Sequence, residues 1–292
     1  MTALETVETL ATSASSRPLV ILGLDATLTT PSMIEWAAQE AIARGASLEI
    51  VACSATCCAD PTCSQQCTTR HGGLADSVAA TREHHPTLWI EESAIGFDTP
   101  NALVDKAARA DLLIVGAAQF ETSCIPSAAL RRRSCPVVAL RGQYQQPLRR
   151  IVIGIDSSNA AEAALNWAAD EADRQSAELI IIHTWQRRRN ADGSMPSLRT
   201  IDNDRAVATS VLEDAVDRCS TLLGRAVSCE LVDGSPAAAL AAASMDADLL
   251  AVGSRGSTGY RTMLFGSVTQ FVLDNSDCPV AVIHPQVRVA PK

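Results

Sequence analysis

The residues of this 292-residue sequence that are best suited to chemistry form a glycine-rich segment. Gly253-Ser254-Arg255-Gly256 is followed, after nine residues, by Gly266-Ser267, which gives the pattern G-x2-G-x9-G-S. Glycine lets a backbone approach a ligand closely, and the unpaired amides of a helix that begins near Gly266 would attract an anion. The pattern therefore predicts a phosphate site, although a tight turn between a strand and a helix would use the same glycines. It is neither the P-loop pattern G-x4-G-K-S/T nor the dinucleotide pattern G-x-G-x-x-G.

A second group of reactive side chains is a cysteine-rich segment in the first half of the chain. Five cysteines fall within fifteen residues, and a sixth occurs further on: Cys53, Cys57, Cys58, Cys63, Cys67 and Cys124. We expect Cys53 to end a strand and the others to lie in loops at the same carboxyl edge of a sheet. Thiolates spaced three or four residues apart can bind zinc or another soft cation, but no C-x2-C pair is present. Three interpretations remain open: a metal site, a redox-reactive thiol cluster, and small residues in a variable loop.

Both groups of residues lie in a sequence that repeats itself. Residues Leu19–Cys53 are similar to Ile151–Trp185, and the segment ADLLIVG, which ends at Gly116, is similar to ADLLAVG, which ends at Gly253. A polar linker that contains a proline separates the two copies. We therefore predict a tandem duplication: a flexible tail over residues 1–17, a first domain over 18–146 and a second domain over 147–292.

Each copy alternates short apolar runs of strand type with helical patterns. This alternation predicts an α/β fold in which each copy is a five-stranded parallel sheet with helices on both faces. In the second copy the predicted strands are Arg150–Asp156, Glu178–Thr184, Ala226–Val232, Asp248–Gly253 and Pro279–His284. The predicted helices are Asn159–Arg174, Leu198–Leu223, Pro236–Ser244 and Arg261–Asn275, and the second helix of the first copy is Leu74–His84. In such sheets ligands bind at the carboxyl ends of the strands, where the strand order reverses.

Composition and charge exclude several classes of protein. The chain has 47% hydrophobic residues and a net charge of −9, which favours a globular protein and argues against a nucleic-acid binder. The first seventeen residues lack a basic, apolar leader, and no apolar run is long enough to span a bilayer. We therefore expect a cytoplasmic protein without nucleic-acid or membrane partners, whose ten cysteines are not a disulfide framework.

The glycine pattern and its surroundings resemble the universal stress proteins, whose ATP-binding members carry G-x2-G-x9-G-S/T. The resemblance covers nearly the whole chain, twice. It extends to an aspartate that ends the first strand, a Gly-Ser-Pro helix start and a Cys-Pro-Val entry into the fifth strand: Asp25, Asp156, Gly234–Pro236, Cys135–Val137 and Cys278–Val280. It implies Rossmann-like domains of the adenine nucleotide α-hydrolase-like kind. It also implies that the two fifth strands, Pro136–Leu140 and Pro279–His284, pair in an intra-chain pseudodimer, so that a homodimer of chains is allowed but not required.

By this resemblance, Asp156 would contact the nucleoside and the backbone near Thr184 would contact the adenine. The phosphates would be held by Gly253, Arg255, Gly256, Gly266, Ser267 and Val268. The residues themselves leave alternatives. An aspartate after a strand is also a common helix N-cap, and Arg187–Arg189 either overhang the phosphates or form a solvated charge run. Glycine loops do not count phosphates, so cAMP is an alternative to ATP.

The first copy departs from the family pattern at the phosphate loop. Gln119 replaces the second glycine, and the Gly-Ser pair is missing. Only 18 residues separate Gly116 from Cys135, where the second copy has 24 between Gly253 and Cys278. We therefore predict one ATP per chain, bound in the second domain.

The function that these residues favour is a nucleotide-binding stress-response protein, in which ATP changes the conformation or the partner affinity of the tandem. Asp156 could hold the Mg²⁺ of bound ATP, but the sequence nominates no base, so at most slow ATP hydrolysis is expected. The alternative is a zinc-binding or thiol-redox sensor that uses the cysteine-rich segment. A nucleotide-dependent ligase is disfavoured because a separate substrate domain is missing. The sequence does not identify the protein partner.

Overall fold

The computed structural model describes residues 17–24, 30–53, 63–95, 103, 105–116, 135–142, 144–187, 195–256 and 266–285. The chain divides into two compact units, Met1–Gly116 and Ala117–Lys292. In both units parallel strands alternate with helices along the chain. None of the helices in the described ranges is long and apolar enough to cross a membrane.

The sheet of the first unit has the strand order β3-β2-β1-β4, and its paired strands are parallel. Its strands are β1 (Leu19–Leu24), β2 (Ser47–Cys53), β3 (Ile90–Ile95) and β4 (Leu112–Gly116), and its helices are α1 (Pro31–Ala43) and α2 (Cys63–His84). Almost every residue of β1 and β4 is apolar and buried. Such strands are typical of a sheet that is covered on both faces.

A charged cluster surrounds one buried carboxylate in this first unit. The carboxylate of Glu49, which is 4% exposed in β2, accepts hydrogen bonds from Lys106, from Ser93 Oγ at 2.8 Å and from Arg109 at 3.3 Å. Burial by itself raises the pKa of a carboxyl, but the hydrogen bonds from Lys106 and Ser93 outweigh it and hold the pKa of Glu49 below its ordinary value. Glu49 therefore stays ionised in the core.

The sheet of the second unit has the order β5-β10-β9-β6-β7-β8. Its strands are β5 (Val137–Leu140), β6 (Arg150–Ile155), β7 (Glu178–Trp185), β8 (Ser228–Asp233), β9 (Leu249–Gly253) and β10 (Val280–Ile283). Its helices are α3 (Asn159–Gln175), α4 (Leu198–Leu223), α5 (Pro236–Ala243) and α6 (Ser267–Asn275). Strands β6 to β10 pair in parallel, and β5 pairs with β10 in the antiparallel sense. The sheet is therefore mixed.

Two glycines show that helices cover both faces of this sheet. A Cβ at Gly154 in β6 would lie 2.5 Å from Leu240 of α5, whereas a Cβ at Gly253 in β9 would lie 2.6 Å from the backbone of Ala160 in α3. Gly154 is in register with Val252, and successive residues of a strand point to opposite faces. Hence α3 and α5 lie on opposite faces. Helix α4 packs beside α3, and α6 packs beside α5.

The predicted α/β fold class is confirmed, with parallel strands and helices on both faces. The strands predicted for the second copy are all present, with ends that differ by two residues or fewer. The antiparallel pairing of the two fifth strands is also present, with Val280 opposite Ala139. The domain boundary at residue 146 stays a prediction, and the predicted tail, apart from Arg17, lies outside the described residues.

Two helices begin at positions that differ from the prediction. The last helix was expected from Arg261 but begins at Ser267, because Gly266 has an extended backbone with φ −64° and ψ 150°. Helix α2 was expected from Leu74 but begins at Cys63. The pair Gly72-Gly73 lies inside this helix and does not end it, although each glycine in a helix interior costs about 1 kcal/mol relative to alanine.

Candidate functional site

The candidate site lies where the strand order of the second sheet reverses. Strand β6 is flanked by β9 and β7, and the connections that leave β6 and β9 lead to helices on opposite faces, α3 and α6. A crevice opens between such connections at the carboxyl ends of the strands. Asp156 follows β6, and the segment Ser254–Gly256 follows β9, so the structure brings these sequence-predicted residues to one edge.

The turn after β6 is fixed by its own side chains. The carboxylate of Asp156, which is half-buried, accepts a hydrogen bond from the backbone N–H of Ser158 at 3.1 Å. The Ser158 hydroxyl oxygen accepts from the N–H of Ala161 at 3.1 Å, which caps α3. The same hydroxyl donates to the carbonyl of Arg255 at 3.3 Å. Ser158 is the N-cap, so Asp156 is not, and Ser158 also ties this turn to the glycine segment.

The first two glycines of the pattern stand where a side chain would collide. A Cβ at Gly253 would lie 2.6 Å from the carbonyl carbon of Ala160 and 2.8 Å from the nitrogen of Ala161. A Cβ at Gly256 would lie 2.7 Å from Oδ2 of Asp156. Gly253 therefore allows β9 to approach α3, and Gly256 allows the backbone to lie directly beside the Asp156 carboxylate.

The third glycine brings the start of α6 to the same place. The N–H of Gly266 donates to the carbonyl of Ser254 at 3.1 Å, and a Cβ at Gly266 would lie 3.2 Å from the nitrogen of Gly256. Gly266 is the N-cap of α6 and provides no side-chain cap. The amides of Ser267 and Val268 therefore begin the helix beside Gly256 without a side-chain acceptor at the cap, and this is the arrangement that suits an anion.

Two residues that sequence reasoning did not single out hold this loop in place. Ser254 is 3% exposed, and its N–H donates to the carbonyl of Ile283 at 2.8 Å. Thr269 is also 3% exposed, and its hydroxyl donates to the carbonyl of Gly253 at 2.8 Å. Thr269 is the third residue of α6. A hydroxyl residue in the first turn after the Gly-Ser pair is therefore the sequence feature that could have identified this contact.

The predicted base contact, Thr184, lies near the end of β7 and is half-buried. The preceding residue, His183, is in register with Ile155 and donates through Nδ1 to the carbonyl of Ile155 at 2.9 Å. Thr184 therefore stands at the level of Asp156 on the neighbouring strand. Parallel strands lie about 4.8 Å apart, so Thr184 and the glycine segment lie on opposite sides of Asp156.

The end of β7 also carries a side-chain cluster. The Arg187 guanidinium lies 5.9 Å from the centre of the Trp185 ring, and its Nη2 lies 2.9 Å from Oδ2 of Asp233. Arg188 and Arg189 lie outside the described residues. Arg187 therefore contacts the ends of β7 and β8. The sequence suggests either a position over the phosphates or a solvated charge run for Arg187–Arg189, and neither interpretation includes this contact.

A recess of about 250 Å³ lies between α3 and α4 and opens at Asp156. Its wall includes Ser157 and Asp214. It also includes Arg218, which pairs with Glu162 at 3.2 Å. The recess leaves room for a ligand group beside Asp156.

The cysteine-rich segment is described only in part. Cys53 is the last residue of β2, and Cys63 and Cys67 belong to α2 rather than to a loop, which corrects the expectation. Cys57, Cys58 and Cys124 lie outside the described residues. Where the structure describes side chains, no group of three or more His, Cys, Asp or Glu residues could hold a metal ion. The metal assignment of these cysteines stays a prediction.

The cysteines of the second copy differ in exposure. Cys219 and Cys278 are buried, and burial raises the pKa of each thiol to about 11. Cys229, by contrast, is exposed in β8. This strand is at the edge of the sheet, where one side of the strand is left uncovered.

Comparison with known proteins places the chain among similar sequences and folds. The model of the universal stress protein family matches residues 147–284. A universal stress protein of Mycobacterium tuberculosis H37Rv is 31% identical over 199 residues, which cover 62% of this chain and 63% of that relative. This match therefore spans less than two thirds of the relative's length. A universal stress protein of Mycolicibacterium smegmatis is 25% identical over 91% of this chain and 97% of its own length.

A solved structure shows the same fold over most of the chain. The crystal structure of a universal stress protein from Archaeoglobus fulgidus superposes with a TM-score of 0.65 at 19% identity, and the match covers 91% of this chain and 98% of that one. At this level of identity the likeness concerns the fold, and it agrees with the α/β architecture described above.

Proposed function

We propose that the chain is a universal stress protein, the family whose model matches residues 147–284, and that it binds an adenine nucleotide, ATP, at the carboxyl edge of the second sheet. The bound nucleotide changes the conformation or the partner affinity of the protein in a stress response. The observation that carries the proposal is the closure of the glycine loop. A Cβ at Gly266 would crowd the nitrogen of Gly256 at 3.2 Å, and the start of α6, which has no side-chain cap, lies beside both.

The phosphates occupy the start of α6 in this proposal. The backbone amides of Ser267 and Val268, together with the positive end of the helix dipole, stabilise their negative charge. Arg255, which is half-buried beside Gly256, adds a cation. Asp156 contacts the nucleoside or holds the Mg²⁺ that accompanies ATP. A bound Mg²⁺ would neutralise part of the phosphate charge next to this carboxylate.

The nucleoside extends from the glycine loop along the sheet edge. Strands β9, β6 and β7 are neighbours in this order, so the glycine loop and Thr184 are separated by two strand spacings, or about 10 Å. The phosphates lie at one end of this distance and the base at the other, with Asp156 between them. The sequence nominates no base for hydrolysis, so we expect at most slow turnover of ATP.

One nucleotide is bound per chain, since the first copy lacks the glycine pattern. Native mass spectrometry of the reduced protein, purified without added nucleotide or metal and then incubated with MgATP, tests this stoichiometry and counts subunits in the same spectrum. We expect one ATP per chain. Two ATP per chain, or none, would contradict the proposal.

Gly266→Asp tests the location of the site. The substitution places a negative charge at the N-cap of α6 and a Cβ against Gly256, so the affinity for MgATP should fall at least about tenfold. Thr30→Asp is the matched control, because it adds the same charge at the N-cap of α1 in the first unit. Equal affinities of Gly266→Asp and the wild type would refute the assignment.

The same spectra test the alternative function. Bound zinc without nucleotide, lost when Cys57, Cys58, Cys63 and Cys67 are changed to serine, would move the function to the cysteine-rich segment. ATP bound equally by this serine variant and by the wild type would separate the two sites.

A further inference from the structure

Three side chains at the carboxyl ends of β7 and β8 form what we call the Arg–Trp platform: Trp185, Arg187 and Asp233. Trp185 and Asp233 are the last residues of their strands and are in register. Arg187 lies over the Trp185 ring at 5.9 Å from its centre and forms an ion pair with Asp233 at 2.9 Å. The N–H of Gly234 donates to the carbonyl of Trp185 at 3.0 Å, which fixes the backbone between the two strand ends.

The platform holds a guanidinium in a defined place but leaves it accessible. The side chain of Arg187 is 53% exposed and that of Asp233 is 43% exposed. An ion pair this exposed contributes little to folding stability, so replacing Arg187 should leave the fold intact. A guanidinium is planar and stacks on aromatic faces, and contact with Trp185 on one side leaves much of its surface open to a ligand.

The platform lies on the path that the proposed nucleotide takes. His183 is in register with Ile155, so Trp185 stands one residue beyond the level of Asp156. The strand order β9-β6-β7-β8 places the glycine loop, Asp156 and the platform in this sequence along one sheet edge. A nucleotide with its phosphates at the loop and its sugar near Asp156 has its base at β7, beside the platform.

We propose that the base of the bound nucleotide stacks on the Arg187 guanidinium, which Trp185 and Asp233 hold in position, and that this platform makes the site prefer purine to pyrimidine nucleotides. A purine offers two fused rings to the guanidinium plane and a pyrimidine offers one, so the stacking contact is larger for the purine. The inference rests on the proposed function, because it requires a nucleotide at the glycine loop.

Calorimetric titration with MgATP, MgUTP and magnesium tripolyphosphate tests the proposal. Arg187→Ala should weaken MgATP about tenfold, MgUTP less, and tripolyphosphate not at all, because loss of a stacking contact affects only the base. Arg187→Lys keeps the charge without the planar group and should restore little of the ATP affinity. Asp233→Asn, which loosens Arg187, should weaken MgATP in the same direction by a smaller factor.

Arg150→Ala is the matched control. Arg150 pairs with Glu178 at 3.3 Å, and the two side chains are 44% and 45% exposed. The pair joins the amino ends of β6 and β7, the opposite edge of the same sheet. The variant removes the same charge from a similar environment and should change none of the three affinities.

The outcomes separate the platform from the proposed function. A wild type that binds MgATP, with Arg187→Ala equal to it, refutes the platform alone. Equal losses for MgATP and tripolyphosphate, both restored by Arg187→Lys, also refute it and assign Arg187 to the phosphates. A wild type that binds neither MgATP nor tripolyphosphate refutes the proposed function, and the platform inference with it. Equal thermal unfolding midpoints establish that the variants are folded.

Discussion

Replacing Gly253 by alanine tests whether β9 approaches α3 as closely as the structure shows. The new Cβ would lie 2.6 Å from the carbonyl carbon of Ala160 and 2.8 Å from the nitrogen of Ala161. Both atoms belong to the backbone of the first turn of α3, so no side-chain rotation relieves the collision. Overpacking of this kind costs about 1–3 kcal/mol, and the lower entropy of the unfolded alanine chain offsets about 0.4–1 kcal/mol of it.

The net expectation for Gly253→Ala is a loss of about 0–2.6 kcal/mol, centred near about 1.3 kcal/mol, in the free energy of unfolding of the second unit. At about 2–4 °C per kcal/mol for a unit of this size, the central value corresponds to a fall of about 3–5 °C in the unfolding midpoint. Urea denaturation and differential scanning calorimetry measure both quantities.

Gly256→Ala serves as the partner experiment because its collision is of another kind. The new Cβ would meet Oδ2 of Asp156 at 2.7 Å, and a carboxylate at the end of a side chain can turn away. Stability should therefore change by less than about 0.5 kcal/mol. The displaced carboxylate should weaken MgATP binding about tenfold, which corresponds to about 1.4 kcal/mol.

The two variants should therefore differ in what they change. Gly253→Ala should lower stability more than Gly256→Ala does, and Gly256→Ala should lower the ATP affinity with little loss of stability. A Gly253→Ala protein as stable as the wild type would refute the close approach of β9 to α3. A Gly256→Ala protein with unchanged ATP affinity would refute the placement of the nucleotide beside Asp156.

Three further predictions follow from described contacts. Ser158→Ala should lose about 1 kcal/mol of stability in urea unfolding and also bind MgATP more weakly, whereas Ser197→Ala, which removes the equivalent cap of α4, should lose only the stability. Lys106→Met should lower the free energy of unfolding by about 2–4 kcal/mol at pH 7. Because the folded pKa of Glu49 is lowered, the difference in stability from wild type should shrink as the pH falls below about 4. If acid unfolding showed a difference independent of pH, the result would argue against the ion pair. Iodoacetamide at pH 8.5 should modify Cys229 before the two buried thiols whose pKa is about 11, and peptide mass spectrometry that found equal rates would contradict the burial.

The sequence was sufficient for the fold class and for the position of the glycine loop because both are encoded locally. Continuous apolar strands and amphipathic helices repeat in the same order in the two copies, and the repeat itself marks the α/β units. A Cβ would meet backbone at Gly253, the Asp156 carboxylate at Gly256 and the nitrogen of Gly256 at Gly266. Glycines that stand at such close approaches leave a pattern that sequence reasoning can find.

The remaining features depend on strand register and on tertiary packing, which the sequence does not state. The contact of Arg187 with Asp233 requires that the ends of β7 and β8 be level, and the two residues are far apart in the chain. The exposure of Cys229 follows from its place on an edge strand. The early start of α2 at Cys63 follows from helix propagation against two glycines, which local propensity disfavours.

The first copy departs from the glycine pattern in two ways, because its second glycine is replaced and its loop is shorter. The closed loop of the second copy shows what each change would affect. Backbone contacts join the two ends of the loop, since the N–H of Gly266 bonds to Ser254 and Gly266 packs on the nitrogen of Gly256. The closure therefore constrains Gly256 and Gly266. In the sequence, Gln119 stands at the position that corresponds to Gly256, and at Gly256 a Cβ would lie 2.7 Å from Oδ2 of Asp156. Restoring the missing loop residues without also restoring this glycine should therefore not create a second ATP site.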